Sequence, residues 1–286
     1  MHNKNKPLRL QFKMIEAFRD FLFDKENAPS TIRKYISDIN AFYQYLDSNT
    51  DVDKKKVLEY KNWLTERYAP TSVNSMLVAL NQFWDFVGAG YLKVKRVKIQ
   101  KQLFLKSEKE MTKQEYERLR DTAKSQKKIQ LSIIIETLAV TGARVSELSY
   151  FKIEHIKKGK IGVINKGKRR EILLADGLRK KLLYFAQKSG IKQGNVFITK
   201  SGNAKDRSNL WREMKELSKS SRVSWKKIFP HNLRHLFARS YYQSTKDLAG
   251  LADLLGHSSM DVTRIYTAET GDRFQKQIER LGLLKE

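Results

Sequence analysis

His231 to Tyr266 reads HNLRHLFARSYYQSTKDLAGLADLLGHSSMDVTRIY. Pro230 in front of it and Gly256 inside it punctuate helical runs, because proline starts a helix well and glycine ends one. The stretch places His231 and Arg234 within one helical turn of each other. His257 follows in the phrase LLGH, and Tyr266 comes nine positions after that. A phenol, an arginine and two imidazoles are the groups that nucleophilic attack on a phosphodiester calls for. Whether they work together depends on what the rest of the chain brings to them.

A free tyrosine has a pKa of about 10. Attack at neutral pH therefore needs cations or a base near Tyr266 to help remove its proton. The chain holds 12 tyrosines, and it is the phrase LLGHSSMDVTRIY rather than the residue that singles this one out. The attacked phosphate gathers negative charge on its non-bridging oxygens, which a planar guanidinium can bind two at a time. Arg234 is one candidate for that task. Arg144, in TGARVSEL, is the other: it follows Gly142 at a bend, and Glu147 three residues on can orient it. Expelling a sugar hydroxyl needs a proton donor within reach. Lys166, in the basic turn NKGKRR, could swing in as that acid, and Lys168 competes with it.

Composition narrows the chemistry. The chain has no cysteine and only five histidines, so thiolate nucleophiles, disulfides and cysteine metal sites are excluded. No HExxH spacing and no GxxxxGK[ST] phosphate loop occurs, and no metal or cofactor is expected. A reaction of this kind must keep the bond energy covalently, as a phosphotyrosine link does. Lys and Arg number 57 against 31 Asp and Glu, a net charge of +26 across 286 residues. A basic excess this large and this evenly spread attracts polyanions, of which phosphate backbones are the commonest. No run reaches the roughly 18 apolar residues a bilayer span needs; LSIIIETLAV comes nearest and Glu136 interrupts it. No secretory signal follows the basic start MHNKNKPLRLQFKM.

The first third of the chain reads as a bundle of four or five helices. Ile32, Tyr35, Ile36, Ile39, Phe42, Tyr43 and Leu46 form one apolar stripe at helical period, with Ser30 or Thr31 as cap. Val73, Leu77, Leu80, Phe83, Trp84 and Val87 form a second, with Thr71 or Ser72 as cap. These aromatics are expected in the core, leaving Arg33 and Lys34 on a polar face that can meet DNA. A helical domain over 1–92 is thus followed by a basic connector over 93–110, where Lys95 and Arg96 are further DNA-binding candidates. The second domain, 111–286, opens on TKQE, a capping box at Thr112 and Glu115. Helices are expected near 112–124 and 128–140. IGVIN and EILLA around the turn KGKRR predict a β-hairpin. Asp176 is expected to cap the next helix, VFIT to form a short strand, and Ser208 to Ser218 to return to helix. The fold class is mostly α with a small β-hairpin.

The ordered set TGARVSEL, NKGKRREI, HNLRH, LLGHSSM and TRIYT resembles the tyrosine recombinases, the phage-integrase and Xer family, over nearly the whole chain. The resemblance implies a SAM-like core-binding domain followed by a mixed α+β catalytic domain, closed as a C-shaped clamp on duplex DNA. It implies that Arg144 and Arg234 clamp the scissile phosphate and that Glu147 supports the first arginine. Lys166, the lysine before the hairpin glycine, would be the general acid. His231 would assist proton transfer, His257 would bind the phosphate, and Tyr266 would attack to give a 3′-phosphotyrosine. Strands would exchange in two rounds through a Holliday junction. The amphipathic tail GDRFQKQIERLGLLKE would dock on a neighbouring protomer to build a homotetramer on two double-stranded core sites. No arm-binding domain is left over, which suits a compact Xer-like, resolvase-like or integrase enzyme of the bacterial cytoplasm or a mobile element. The resemblance leaves room for an accessory protein as a further partner, and the choice of target depends on which side chains reach base edges and on how the DNA deforms. The same catalytic set could serve DNA relaxation or hairpin-telomere resolution, and a DNA-binding protein that has lost activity is the alternative of a different class.

Overall fold

A computed structural model describes residues 7–47, 49–99, 110–165, 168–199 and 201–256, together with Thr263 and Arg280. The chain divides into two compact units, residues 1–101 and residues 102–286. Among the described residues the architecture is mostly helical, with two small antiparallel pairs of strands. No described helix is long and apolar enough to cross a membrane.

The first unit holds helices α1 (Phe12–Asp24), α2 (Pro29–Tyr45), α3 (Lys54–Arg67) and α4 (Pro70–Phe86). Strands β1 (Leu8–Arg9) and β2 (Asp51–Val52) pair across its edge. Both expected stripes face inward: Ile36, Ile39 and Phe42 on α2, and Val73, Leu77, Leu80, Phe83 and Trp84 on α4, are buried. Their aromatics interlock edge-on, Phe42 with Trp84 at 5.7 Å between centroids and Phe83 with Phe18 of α1 at 5.3 Å. This is the geometry that ring quadrupoles favour. The caps differ from expectation. Pro29 and Pro70 occupy the first helical turn, and Ala28 and Ala69 are the cap residues without a side-chain bond. A proline there presets φ and lacks an N–H that would need a partner, so Ser30, Thr31, Thr71 and Ser72 fall inside the helices.

The start of the connector belongs to this unit. Asn81 accepts from the Val94 N–H and donates to the Val94 carbonyl, both at 2.9 Å. Asn74, two turns earlier on α4, does the same to Val97 at 2.7 and 2.9 Å. Each amide thus stands in for a neighbouring strand. Val94 is buried, whereas Lys95, Arg96 and Lys98 point outward.

The second unit opens on α5 (Lys113–Ser125), with the Thr112–Glu115 capping box formed in both directions at 3.1 and 2.8 Å. α6 (Ile129–Thr141) is apolar nearly all round and runs through the core. After a short α7 (Ile153–Lys157), β3 (Lys160–Asn165) and β4 (Lys168–Leu173) make the hairpin, with Asn165 opposite Lys168. Most of KGKRR is therefore strand, and only positions 166 and 167 lie between the paired ends. Then come α8 (Asp176–Lys188), α9 (Arg207–Glu216), α10 (Ser218–Ser221), α11 (Pro230–Thr245) and α12 (Leu248–Leu255). Asp176 is the first residue of α8 rather than its cap, which is Ala175. VFIT forms no strand. The chain folds straight back, the Thr199 N–H meeting the Asn203 carbonyl at 2.8 Å, so that only an isolated bridge joins Ile198 to Ala204.

Candidate active site

α6 ends at Gly142, whose φ of +62° is the left-handed conformation that closes helices. A Cβ at this position would lie 2.5 Å from the Phe237 ring on α11, so glycine is needed for the close approach as well as the turn. The chain leaves this cap directly into Arg144 and a 3₁₀ turn over Val145–Tyr150. Glu147 folds back from that turn and is 1% exposed. Its Oε2 accepts the Arg144 backbone N–H at 2.7 Å, and its Oε1 holds the Arg144 guanidinium at 3.1 Å. Glu147 thus holds Arg144 through both its backbone and its side chain.

α11 brings the second arginine. Pro230 starts the helix, His231 follows, and Arg234 lies one turn on along the same face. Arg234 is 1% exposed. Its guanidinium donates to the Gly142 carbonyl and to the Leu255 carbonyl, each at 2.6 Å. Arg144, His231 and Arg234 line one cleft of about 750 Å³. The His231 ring forms an edge contact with His235 at 4.5 Å. Its pKa is held below the ordinary 6.5, first by burial and then by the neighbouring charges of Arg234, Arg144 and Arg207. A neutral imidazole among three guanidiniums can take a proton while the cleft as a whole attracts an anion.

Two features of this site were not anticipated. The cleft is also lined by α9, which contributes Arg207, Ser208 and Trp211. Asp206 caps that helix, accepting from the Ser208 and Asn209 N–H groups. Arg207 and Trp211 stand four residues apart, the only hint available before folding. The other is Arg170. Its Nη2 meets Glu147 Oε2 at 2.6 Å, and its Nη1 donates to the Leu254 carbonyl at 2.6 Å. The strand period gave a signal here: Arg170 shares the inward face of β4 with buried Ile172. Burial lowers the Arg170 pKa, and the Glu147 charge works against that shift.

Lys166, His257 and Tyr266 lie outside the described residues. Lys168 opens β4 in register with Asn165. In the first unit, Arg33 is exposed beside a groove shared with Arg19, Ser37, Asn40 and Gln44. Lys34 is paired with Asp38. Lys95 and Arg96 are exposed on the strapped segment.

Comparison with known proteins agrees with this layout. The pattern of the phage integrase family matches residues 109–273, and that of the phage integrase N-terminal SAM-like domain matches residues 15–89. Tyrosine recombinase XerA of Pyrococcus furiosus is 28% identical over 285 residues, covering 96% of each chain. Tyrosine recombinase XerD of Vibrio cholerae is 26% identical, covering 92% of this chain and 94% of its own. Among solved structures, a lambda integrase dimer bound to a core site has the same fold, with a TM-score of 0.73 at 20% identity, covering 91% of this chain and 96% of that one. The XerH site-specific recombinase bound to its difH substrate gives 0.69 at 18% identity, covering 97% and 85%. The family pattern spans more than half of the sequence, and it holds Arg144, His231 and Arg234, the three residues that meet in the cleft: the chain belongs to the phage integrase family of tyrosine recombinases.

Proposed function

We propose that the chain is a site-specific DNA recombinase that cuts and rejoins strands through a 3′-phosphotyrosine at Tyr266. The observation that carries this reading is the cleft in which Arg144, Arg234 and His231 converge. Arg144 and Arg234 bind the non-bridging oxygens of the scissile phosphate, where charge grows in the transition state. The Tyr266 oxygen attacks phosphorus in line as its proton passes to a base, for which His231 is suited. The 5′-oxygen leaves with a proton from Lys166, with Lys168 as the alternative donor, and His257 contacts the phosphate. In the second step a 5′-hydroxyl from the partner strand displaces the tyrosine, so no bond energy is lost and no metal or nucleotide is consumed.

The domains follow the same reading: 1–92 binds DNA, 93–110 connects, and 111–286 carries the chemistry. Arg33, Lys34, Lys95, Arg96 and Lys168 contribute phosphate contacts, which position the protein without reading sequence. Four copies act on two core sites and pass through a Holliday junction, and the tail after Tyr266 docks on the neighbouring protomer. The test is a duplex nicked near the cleavage point, so that the short leaving strand is lost. Wild-type protein is expected to form a covalent adduct in EDTA without ATP, and Tyr266→Phe none. An adduct that persists in Tyr266→Phe, or that requires Mg²⁺, would refute the assignment.

A further inference from the structure

We propose that Arg170 is a positioning residue for strand cleavage, fixing three segments of the active site at one mutual geometry. The proposal rests on the cleavage reading above. One segment is β4, which carries Arg170 four residues after Lys166 and two after Lys168. A second is the 3₁₀ turn, reached through Glu147 Oε2 at 2.6 Å; the same oxygen accepts the Arg144 backbone N–H at 2.7 Å. The third is the end of α12, reached through the Leu254 carbonyl at 2.6 Å, three positions before His257. Gly256 lets the arginine through, because a Cβ there would strike the Arg170 side chain.

The choice of residue is informative. The Arg170 side chain is 8% exposed and the side chain of its partner Glu147 2%. Buried ion pairs stabilise a fold no better than well-packed apolar groups of the same size. What a guanidinium adds is direction: two N–H groups in a rigid plane, aimed here at separate acceptors on separate elements. Arg170 is not among the described residues that line the cleft, so it acts through Glu147, Arg144 and the chain on either side of it. Loosening this bridge lets those groups drift by a fraction of an ångström. A misplacement of about 1 Å can cost on the order of 100-fold in rate.

The experiment uses full-length protein and a nicked suicide duplex built on a site selected in vitro with wild type. Single-turnover adduct formation at saturating protein, the dissociation constant at the same salt, and the melting temperature are measured together. Arg170→Met, Arg170→Lys and Glu147→Gln are each expected to slow adduct formation by about 10- to 100-fold. DNA affinity should stay within about threefold, because phosphate contacts elsewhere set it. The double variant Arg170→Met with Glu147→Gln should be close to either single variant, as expected of residues that act as one unit. Lys160→Gln, an exposed change on the same hairpin, should match wild type. An unchanged rate, equal losses of rate and affinity, or effects that multiply in the double variant would overturn the proposal. If Arg170→Met does not fold, Arg170→Lys decides by the same split, since an ammonium cannot span both acceptors in the same plane. Wild-type protein that binds DNA without forming an adduct would overturn the cleavage reading and this proposal with it. A wild-type adduct with undisturbed Arg170 variants would overturn this proposal alone.

Discussion

Arg234 and Gly142 stand 92 positions apart, and the Arg234 guanidinium donates to the Gly142 carbonyl at 2.6 Å. The same guanidinium reaches the Leu255 carbonyl at 2.6 Å. One side chain therefore closes the C-terminal ends of both α6 and α12, each of which finishes on a left-handed glycine. A cation at two helix C-termini also meets the negative ends of their dipoles. The arginine expected to hold the substrate thus ties together the framework that places it.

Arg234→Ala should accordingly lose stability as well as cleavage. It strands two buried carbonyls, at about 1–3 kcal/mol each. A drop of about 2–6 kcal/mol in unfolding free energy is expected, read as a lower urea midpoint with an unchanged slope. Wild-type stability in this variant would show that the two bonds hold nothing.

Gly142→Ala and Gly190→Ala make a matched pair. Both glycines have positive φ, +62° and +70°, but a Cβ at Gly142 meets Phe237 at 2.5 Å while one at Gly190 has open space. Backbone strain is common to both, so the difference isolates the contact. Gly142→Ala should cost about 1–3 kcal/mol more than Gly190→Ala. Equal costs would mean that the Phe237 ring yields freely.

His231 gives a pH signature. Its pKa in the folded protein lies below the ordinary 6.5, through burial and then Arg234, Arg144 and Arg207. As pH falls below 6.5 the unfolded chain takes up this proton before the folded one does. Its contribution to stability is therefore complete above 6.5 and declines as the pH falls toward the folded value. The second-order rate of cleavage should fall over the same acid range, because it reports groups of the free enzyme. In His231→Gln both acid limbs should flatten, and limbs identical to wild type would assign them to another group.

The Asn74 and Asn81 clamps predict local changes in amide exchange. Asn81→Ala should speed exchange at Val94 and leave Val97 protected, and Asn74→Ala should do the reverse. Loss of protection at both amides in either variant would mean that the segment detaches as a unit rather than at separate clamps.

Much of this was legible before folding, and what was not has physical reasons. The stripes on α2 and α4 announced themselves because a helix that buries one face must repeat its apolar residues every three or four positions. The TKQE box did so because both of its partners are local. The caps at Ala28 and Ala69 were misread because a proline at the first helical position outweighs a nearby hydroxyl. Their phrases single out Arg144, Glu147, His231 and Arg234 as candidates, but do not tell that Arg234 is buried against two carbonyls. Those carbonyls come from elements far apart in sequence. Arg170 was hidden as one of several basic residues in a turn, and only the hairpin register separates it from Arg169. The α9 wall, with Arg207 and Trp211, depends on tertiary packing that no local pattern encodes.

Of the 12 tyrosines in the chain, Tyr266 is the one proposed to carry the DNA. The most direct measurement is to digest the trapped protein–DNA adduct with protease and nuclease and to identify the nucleotide-bearing peptide by mass spectrometry. A 3′-linked nucleotide on the peptide containing Tyr266 is predicted. A nucleotide on any other residue, or one attached through its 5′ end, would rule out Tyr266 as the nucleophile that forms a 3′ link.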